Sequence, residues 1–198
     1  ALDALETSVV ESLDVGKLTD GGGREFVFLH HVSLGFHPRF IEIRDALPYG
    51  SRMGKMMASL KVWRRTVLSL RRLSLSFSGD LERERGHYYQ AAVTVGSFRE
   101  GLIDFPHAED LTKGDLDLVL LPARTRGDFM VASLLAAFGR WRTNPMLEVM
   151  ALHTLRIDSR SPKLPVSVDG EVMRRPFPLS IEVLPKALKV LHPPTPAT

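Results

Sequence analysis

Cysteine is absent from all 198 residues, which excludes a disulfide framework and any thiolate-bound metal and fits a reducing, cytoplasmic setting. Long apolar runs are missing as well, since no stretch approaches the ~20 residues that a membrane-spanning helix requires. A secretory signal is not visible. Histidines occur, but His87, His107, His153 and His192 are scattered and no HExxH spacing appears, so they read as structural or surface residues. His30 and His31 are neighbours on an expected strand and point to opposite faces, which keeps them from sharing a metal. Ser33 lacks a GxSxG context, which removes support for nucleophilic catalysis. No aromatic pair of the RNA-recognition type, GXXG loop or zinc-finger spacing is present, and nucleic acid is not an expected partner.

Acidic residues are absent from one place where they would matter. Between Arg52 and Arg72 lie Arg52, Lys55, Lys61, Arg64, Arg65, Arg71 and Arg72 with no Asp or Glu among them. Such a stretch serves either as a solvated helix face or as a patch for anionic lipid headgroups or a phosphorylated ligand. Arg52, Lys55, Lys61 and Arg65 are the candidates to face a membrane, with Arg64 interrupting the apolar side of the helix. Met53, Met56 and Met57 share that helix and suit either core packing or an adaptable lipid groove.

With 44% hydrophobic and 25% charged residues the chain is globular, large enough for one sizeable domain and tight for two. Ala1 to Leu13 carries apolar residues at helical spacing and reads as the tail of an amphipathic helix. Asp14–Leu18 and Arg24–Leu34 flank Asp20-Gly21-Gly22-Gly23 and read as a hairpin. Ser51–Leu68 is helical, and Leu73, Leu75 and Phe77 alternate with serines as a half-buried strand. A charged turn runs from Gly79 to Arg85, and Tyr88–Val95 and Leu116–Leu121 are further strands. Asp128 is the expected N-cap of a helix through Trp141, after which Met146–Asp158 is extended.

The last third is the most regular. Val166 and Val168 alternate with Ser167, Asp169-Gly170 is a two-residue hairpin signal, and two apolar runs follow, separated by Pro185-Lys186. Strands outnumber helices and the connections are short for βαβ crossovers. The expected fold is therefore mainly β with a few α-helices, an antiparallel β-sandwich.

The closing DGE turn and the tail Glu182-Val183-Leu184-Pro185-Lys186-Ala187-Leu188-Lys189-Val190-Leu191 resemble the end of the diacylglycerol kinase and sphingosine kinase superfamily. The likeness extends over nearly the whole chain. Ser12-Leu13-Asp14-Val15-Gly16 with Phe26-Val27-Phe28-Leu29, His31-Val32-Ser33-Leu34-Gly35-Phe36, Met53-Gly54-Lys55, Val95-Gly96-Ser97-Phe98 and Gly114–Leu120 are similar to its second-domain segments, in the same order.

The resemblance implies the second domain of a two-domain lipid kinase of bacterial type. Residues 1–13 would be the tail of a linker helix from a nucleotide-binding domain, 14–192 the β-sandwich, and 193–198 a frayed tail. The family's phosphate loop, GGDGT, does not occur here, and Gly21-Gly22-Gly23 sits in a turn with no helix after it to receive a phosphate. ATP and Mg²⁺ are thus expected in the longer parent and not on this chain. The resemblance assigns catalysis to Glu171, with Asp169 and Gly170 shaping the turn. A lipid hydroxyl would attack the γ-phosphorus while the carboxylate orients or deprotonates it. The partners implied are the nucleotide-binding domain, a lipid substrate and the surface of an anionic membrane, contacted peripherally.

Two departures bear on ligands. Bacterial diacylglycerol kinases of the family often bind a structural Mg²⁺ through an aspartate before the glycine of a D-D-G turn. Here the turn reads Asp110-Leu111-Thr112-Lys113-Gly114-Asp115, and the Lys113 ammonium cannot ligate a cation that needs oxygen donors. No metal is expected there unless Asp110 and Asp115 serve through a slipped register. After Gly35-Phe36, where relatives commonly place an acidic or small residue, this chain has His37-Pro38-Arg39. A non-catalytic lipid- or ligand-binding sandwich is the rival reading. The NAD and polyphosphate kinases, expected to carry a different second domain, are disfavoured by the closing pattern.

Overall fold

The computed structural model describes residues 8–46, 61–98, 108–137 and 145–192. In chain order the strands are β1 (Val9–Thr19), β2 (Glu25–Phe28), β3 (His31–Gly35), β4 (Leu73–Gly79), β5 (Arg83–Val95), β6 (Ser97–Phe98), β7 (Ala108–Asp110), β8 (Leu116–Pro122), β9 (Glu148–Leu152), β10 (Thr154–Ser159), β11 (Lys163–Val168), β12 (Glu171–Pro176) and β13 (Leu179–His192). Helix α1 (Phe36–Asp45) follows β3, residues 61–68 form α2, and α3 (Arg126–Ala137) follows β8.

All pairings are antiparallel, as the short connections require. One large sheet runs β12-β11-β3-β5-β4-β10-β13-β1-β2, with β8 and β9 branching from β5. The branch arises because the 13-residue β5 pairs with β4 through its first half and with both β3 and β8 through its second. The sheet curls around one apolar core in which Leu18, Phe28, Leu34, Leu75, Leu118 and Ile181 are inaccessible to solvent or nearly so. Burying each such side chain contributes roughly 1.5–3 kcal/mol. A second cluster, built from Val67, Leu70, Tyr89, Leu121, Phe129 and Ala132, seats α2 and α3 on the outer face of β5 and β8. The architecture is a mostly antiparallel, sandwich-like β-fold with helices on one side.

Curling brings the two ends of the sheet together. Asp20, in the β1–β2 turn, is 4% exposed and faces Arg175 of β12, with Nη1 3.5 Å from Oδ2. The same guanidinium lies 4.5 Å over the Phe26 ring on β2, and Gly21 donates its N–H to the Pro176 carbonyl at 3.0 Å. Edge strands β2 and β12 are thereby clasped to each other, which protects ladder groups that would otherwise stand open.

Several expectations need correction. Val9 to Leu13 belong to β1, paired with Leu188 to His192, and do not end a helix, so a division at residue 13 falls inside a strand. Their β-branched and alternating side chains suit the pleat once β13 supplies a partner. Arg24–Leu34 breaks at Leu29-His30 into β2 and β3, because the two halves pair with different strands. The turn after Gly79 is shorter than expected, with β5 beginning at Arg83. Pro185-Lys186 does not separate two strands. It is a bulge inside β13 opposite Leu13 and Val15, with Lys186 at φ 54°.

Helix starts also differ from expectation. Thr125 caps α3: its Oγ1 accepts the Asp128 N–H at 3.1 Å, and Asp128 Oδ2 accepts the Thr125 N–H at 2.9 Å. Asp128 is the reciprocal member of a capping box, three residues inside. Arg64 does not interrupt the apolar side of α2: it is exposed, and Val62, Thr66 and Val67 are the buried positions. Met53, Met56, Met57, Arg52, Lys55, His107 and Trp141 lie outside the described residues.

Candidate functional site

The Asp169-Gly170 turn joins β11 to β12 with Val168 paired to Glu171. Both turn residues have positive φ, 46° and 90°, the backbone of a type I′ hairpin whose twist matches its strands. Asparagine, aspartate and glycine tolerate this region best, which explains the Asp-Gly pair locally.

The Asp169 side chain has a second task. One carboxylate oxygen accepts the Leu29 N–H at 2.7 Å, and the other accepts the N–H groups of His30 and His31, each at 2.9 Å. In return the Asp169 N–H donates to the His31 carbonyl at 2.9 Å. The carboxylate therefore satisfies the three amides at the corner between β2 and β3, which no ladder could reach. Those hydrogen bonds occupy both oxygens. Glu171, two residues on, is exposed, and its side chain makes no hydrogen bond or ion pair with a described residue. The hairpin thus splits its acids: Asp169 is bound to the backbone, and the exposed Glu171 carboxylate has no partner among the described residues.

Beside this corner sits a group that sequence reasoning missed. The rings of His31 and His37 meet edge to face with centroids 4.9 Å apart, and His30 lies 5.4 Å from His31. His30 and His31 do not point to opposite faces, because His30 lies on the corner and not in a strand. Nδ1 of His37 is 2.8 Å from Ser33 Oγ and 3.4 Å from His31 Nε2. Its backbone N–H, in the first turn of α1, donates to Gln90 Oε1 of β5 at 2.9 Å. Burial, with His31 and Arg44 nearby, pushes the His37 pKa down to about 4. Burial and then His30 also lower that of His31, against a counter-pull from Asp169. The spacing of His31, Ser33 and His37 across Gly35 was the available signal. Gly35, at φ 96° and with the Tyr89 carbonyl where a Cβ would stand, makes the sharp strand-to-helix passage that folds His37 back onto β3.

A groove opens between α1 and α2, lined by Arg39, Glu42, Ile43, Ala46, Arg65, Leu68 and Ser69. Ile43, Ala46 and Leu68 are its apolar lining, and Arg39, Glu42 and Arg65 its charged lining. Lys61, Arg64 and Arg65 are exposed on α2, and Leu68 is an exposed apolar residue beside them.

The candidate turn for a structural metal, Asp110 to Asp115, is held by an ammonium and by main-chain donors. The Lys113 ammonium is 2.7 Å from Asp115 Oδ2. Asp14, 3% exposed, accepts the Gly114 N–H at 2.6 Å and the Lys186 N–H at 2.7 Å, while its own N–H donates to the Leu111 carbonyl at 2.7 Å. Asp14 thus cross-links the turn to the β13 bulge with both of its oxygens engaged. Asp110 ends β7, paired with Ser97. A divalent cation would have to share Asp115 with an ammonium and displace backbone donors from Asp14, so these residues do not fit one. No cluster of three or more His, Asp or Glu among the described residues is arranged to hold a metal. No described helix is long and apolar enough to cross a membrane.

Residues 50–192 match the family described as the YegS C-terminal NAD kinase beta sandwich-like domain. That description relates the fold to NAD kinase, so the expectation that NAD kinases carry a different second domain is corrected. Among solved structures, a diacylglycerol kinase from Bacillus anthracis strain Sterne superposes with TM-score 0.53 at 13% identity, over 91% of this chain and 53% of that one. A candidate diacylglycerol kinase of the same strain gives 0.59 at 16% identity over 91% of this chain and 56% of that one. Another gives 0.56 at 17% over 91% and 55%. At such identities these likenesses show a shared fold, and the chain spans little more than half the length of each relative. The family match, which spans most of the chain, establishes that it belongs to the YegS C-terminal NAD kinase beta sandwich-like domain family.

Proposed function

We propose that this chain is the substrate-side domain of an ATP-dependent lipid kinase, phosphorylating diacylglycerol or a sphingoid-like lipid, and that it is inactive without a nucleotide-binding domain. The observation that carries this reading is the division of labour in the hairpin. Asp169 is consumed by three backbone donors, which holds the turn in place, and Glu171 near it is an exposed carboxylate without a partner among the described residues.

A carboxylate so placed can accept the proton of an attacking lipid hydroxyl or orient that hydroxyl toward a γ-phosphorus. ATP and Mg²⁺ would come with the nucleotide-binding domain, since the chain offers no glycine-rich phosphate loop leading into a helix. When bound, they supply the phosphoryl group and neutralise its charge. The groove between α1 and α2, apolar at Ile43, Ala46 and Leu68, with Arg65 and the Arg39–Glu42 ion pair along it, suits a lipid chain with a polar head. The exposed cations of α2 would bring that groove to an anionic membrane surface, as a peripheral and not a spanning contact.

The test is phosphotransfer to diacylglycerol and to sphingoid bases by the two-domain parent and by its Glu171→Gln variant. Loss of a positioned base typically costs ~10²–10⁴-fold in rate. Turnover by the isolated 198-residue chain overturns its dependence on a second domain, and a variant as fast as the parent at every pH removes the role of Glu171 in favour of a non-catalytic lipid-binding sandwich.

A further inference from the structure

The group formed by His31, Ser33 and His37 lies between two parts that the proposed function uses separately: the hairpin that carries Glu171 and the helix that walls the groove. We propose that His37 and His31 are positioning residues, a neutral imidazole bridge that locks the first turn of α1 to the Asp169 corner, so that the groove helix and the acidic hairpin order together and come apart together when an imidazole takes a proton. The reading rests on the catalytic assignment of the hairpin only for its consequence, and not for the coupling itself.

The geometry of the bridge is continuous. Asp169 binds the amides of Leu29, His30 and His31. The side chain of His31 then reaches His37, whose Nδ1 it approaches at 3.4 Å while Ser33 Oγ approaches the same atom at 2.8 Å. With His31 as its Nε2–H tautomer and the His37 proton on Nε2, two donors converge on one free lone pair. Ser33 is 1% exposed and has this imidazole as its side-chain partner, so the bond cannot be passed to bulk water without opening the packing. Adding a proton to Nδ1 of His37 removes the acceptor, so the Ser33 hydroxyl and the His31 ring must both reverse their hydrogen-bonding roles or separate from it.

The surroundings amplify that change. His37 sits in the first turn of α1, where the unpaired backbone N–H groups disfavour positive charge. His30 on the corner and Arg44 on α1 are the cationic or potentially cationic groups acting on the pair, Asp169 on the hairpin is the acidic one, and Ser33 of β3 and Gln90 of β5 are uncharged. The single carboxylate among them already spends its lone pairs on backbone amides. No acidic group among the described residues acts on His37, so the native arrangement is the neutral one.

The sign of the pH dependence follows. The folded pKa of His37 lies near 4, below the ordinary 6.5, so the open state binds the extra proton first as pH falls. The lock is complete above about pH 6.5 and weakens toward pH 4, with local opening favoured by up to ~10-fold for each pH unit.

Hydrogen exchange on the 198-residue chain, corrected for intrinsic chemistry, tests the coupling without any phosphotransfer. Between pH 7 and pH 5 the opening constants of the His37, Phe40 and Ile41 amides and of the 29–31 amides should rise together, by roughly 10–30-fold. His37→Gln, which keeps a hydrogen-bonding side chain that does not titrate, should flatten this rise while leaving opening at pH 7 within a few-fold of the parent. Should that variant fail to fold, His31→Gln is read in the same way. Independent opening of the two segments, or a rise that survives in the glutamine variants, shows the histidines to be packing only. In the two-domain parent, His37→Gln should shift the acid limb of kcat/KM downward in pH. Coupled exchange without that shift retains the lock and removes its link to the hairpin's catalytic role.

Discussion

Asp169 and His31 hold each other by a closed pair of hydrogen bonds, each residue's N–H donating to the other, one to a side-chain oxygen and one to a main-chain oxygen, both at 2.9 Å. A turn residue is thereby fixed to a strand 138 residues earlier in the chain. The consequence is that Glu171 is presented from a hairpin tied at its tip and not only along its strands. The tip is the part of a hairpin that otherwise frays first.

Asp169→Ala removes the acceptor for three amides at once. The Leu29 and His30 amides lie on an exposed corner and recover water, which limits the loss to about 1–2 kcal/mol of global stability. Locally the effect should be larger. Exchange of the 29–31 amides is expected to accelerate far more than that of the β5 and β8 core, and unchanged protection at those three positions would show that the ladder alone holds the corner.

The clasp between the sheet ends makes a different kind of prediction. Asp20 is buried, and although burial raises its pKa, the Arg24 and Gly22 amides and the Arg175 guanidinium outweigh it and hold the pKa below the ordinary carboxylate value. Its folded pKa being depressed, the stability it contributes is present above about pH 3.8 and is lost as pH falls below that. Arg175→Ala leaves the carboxylate with two backbone donors but no cation, and uncovers Phe26. We expect a loss of about 2 kcal/mol at pH 7 in urea melts, shrinking as the pH is lowered through the range where Asp20 takes a proton. A loss that is constant from pH 7 to pH 3 would mean that packing on Phe26, not charge, closes the sheet.

Much of the sheet was legible from period-2 alternation, as in Leu73–Ser78, where one face of the strand is buried; at Val166–Val168 the alternation held although Ser167 is buried with both valines. The DGE hairpin was legible from Asp-Gly alone. What escaped depends on partners distant in sequence. The tie from Asp169 to Leu29–His31 spans the domain, and no local pattern announces it. Pro185-Lys186 has the composition of a break, yet Asp14 accepts the Lys186 N–H and turns the break into a bulge. The histidine group was hidden because His30 was assigned to a strand, where alternation separates neighbours, while the chain in fact turns a corner there. At α3 the residue types were right and the register was not: Thr125 caps and Asp128 answers it.

Asp14 gives a prediction about metal dependence. It joins the Gly114 turn to the β13 bulge through two short hydrogen bonds from a buried carboxylate, while Lys113 and Asp115 neutralise each other on the turn. The cross-link is made by main-chain donors and needs no cation. Thermal midpoints of the chain should therefore be the same in EDTA and in millimolar Mg²⁺, whereas Asp14→Ala should cost about 2–3 kcal/mol by leaving two amides unsatisfied. Lys113→Ala, which breaks a half-exposed ion pair, should cost no more than about 1 kcal/mol. A midpoint that rises with Mg²⁺ would place a cation at the turn after all.

Membrane contact is the remaining expectation that this chain can test by itself. Lys61, Arg64, Arg65, Arg71 and Arg72 are all exposed, and no acidic residue occurs between positions 52 and 72. Each cation held near an anionic leaflet contributes roughly 1 kcal/mol, an upper figure because Arg71 and Arg72 lie beyond the end of α2 and not all five need face one surface. Exposed Leu68 adds apolar area on the same helix. Binding should thus be reversible, selective for phosphatidylglycerol over phosphatidylcholine vesicles, and weakened as the Debye length falls from ~10 Å at 0.1 M salt toward ~3 Å at 1 M. Lys61→Glu with Arg65→Glu should reduce sedimentation with anionic vesicles at least tenfold, since two attractions become repulsions. Leu68→Ser should lower it modestly and leave the salt dependence intact, because it removes apolar contact without altering charge. Equal sedimentation with both lipids, or indifference to salt, would assign these cations to solvent alone.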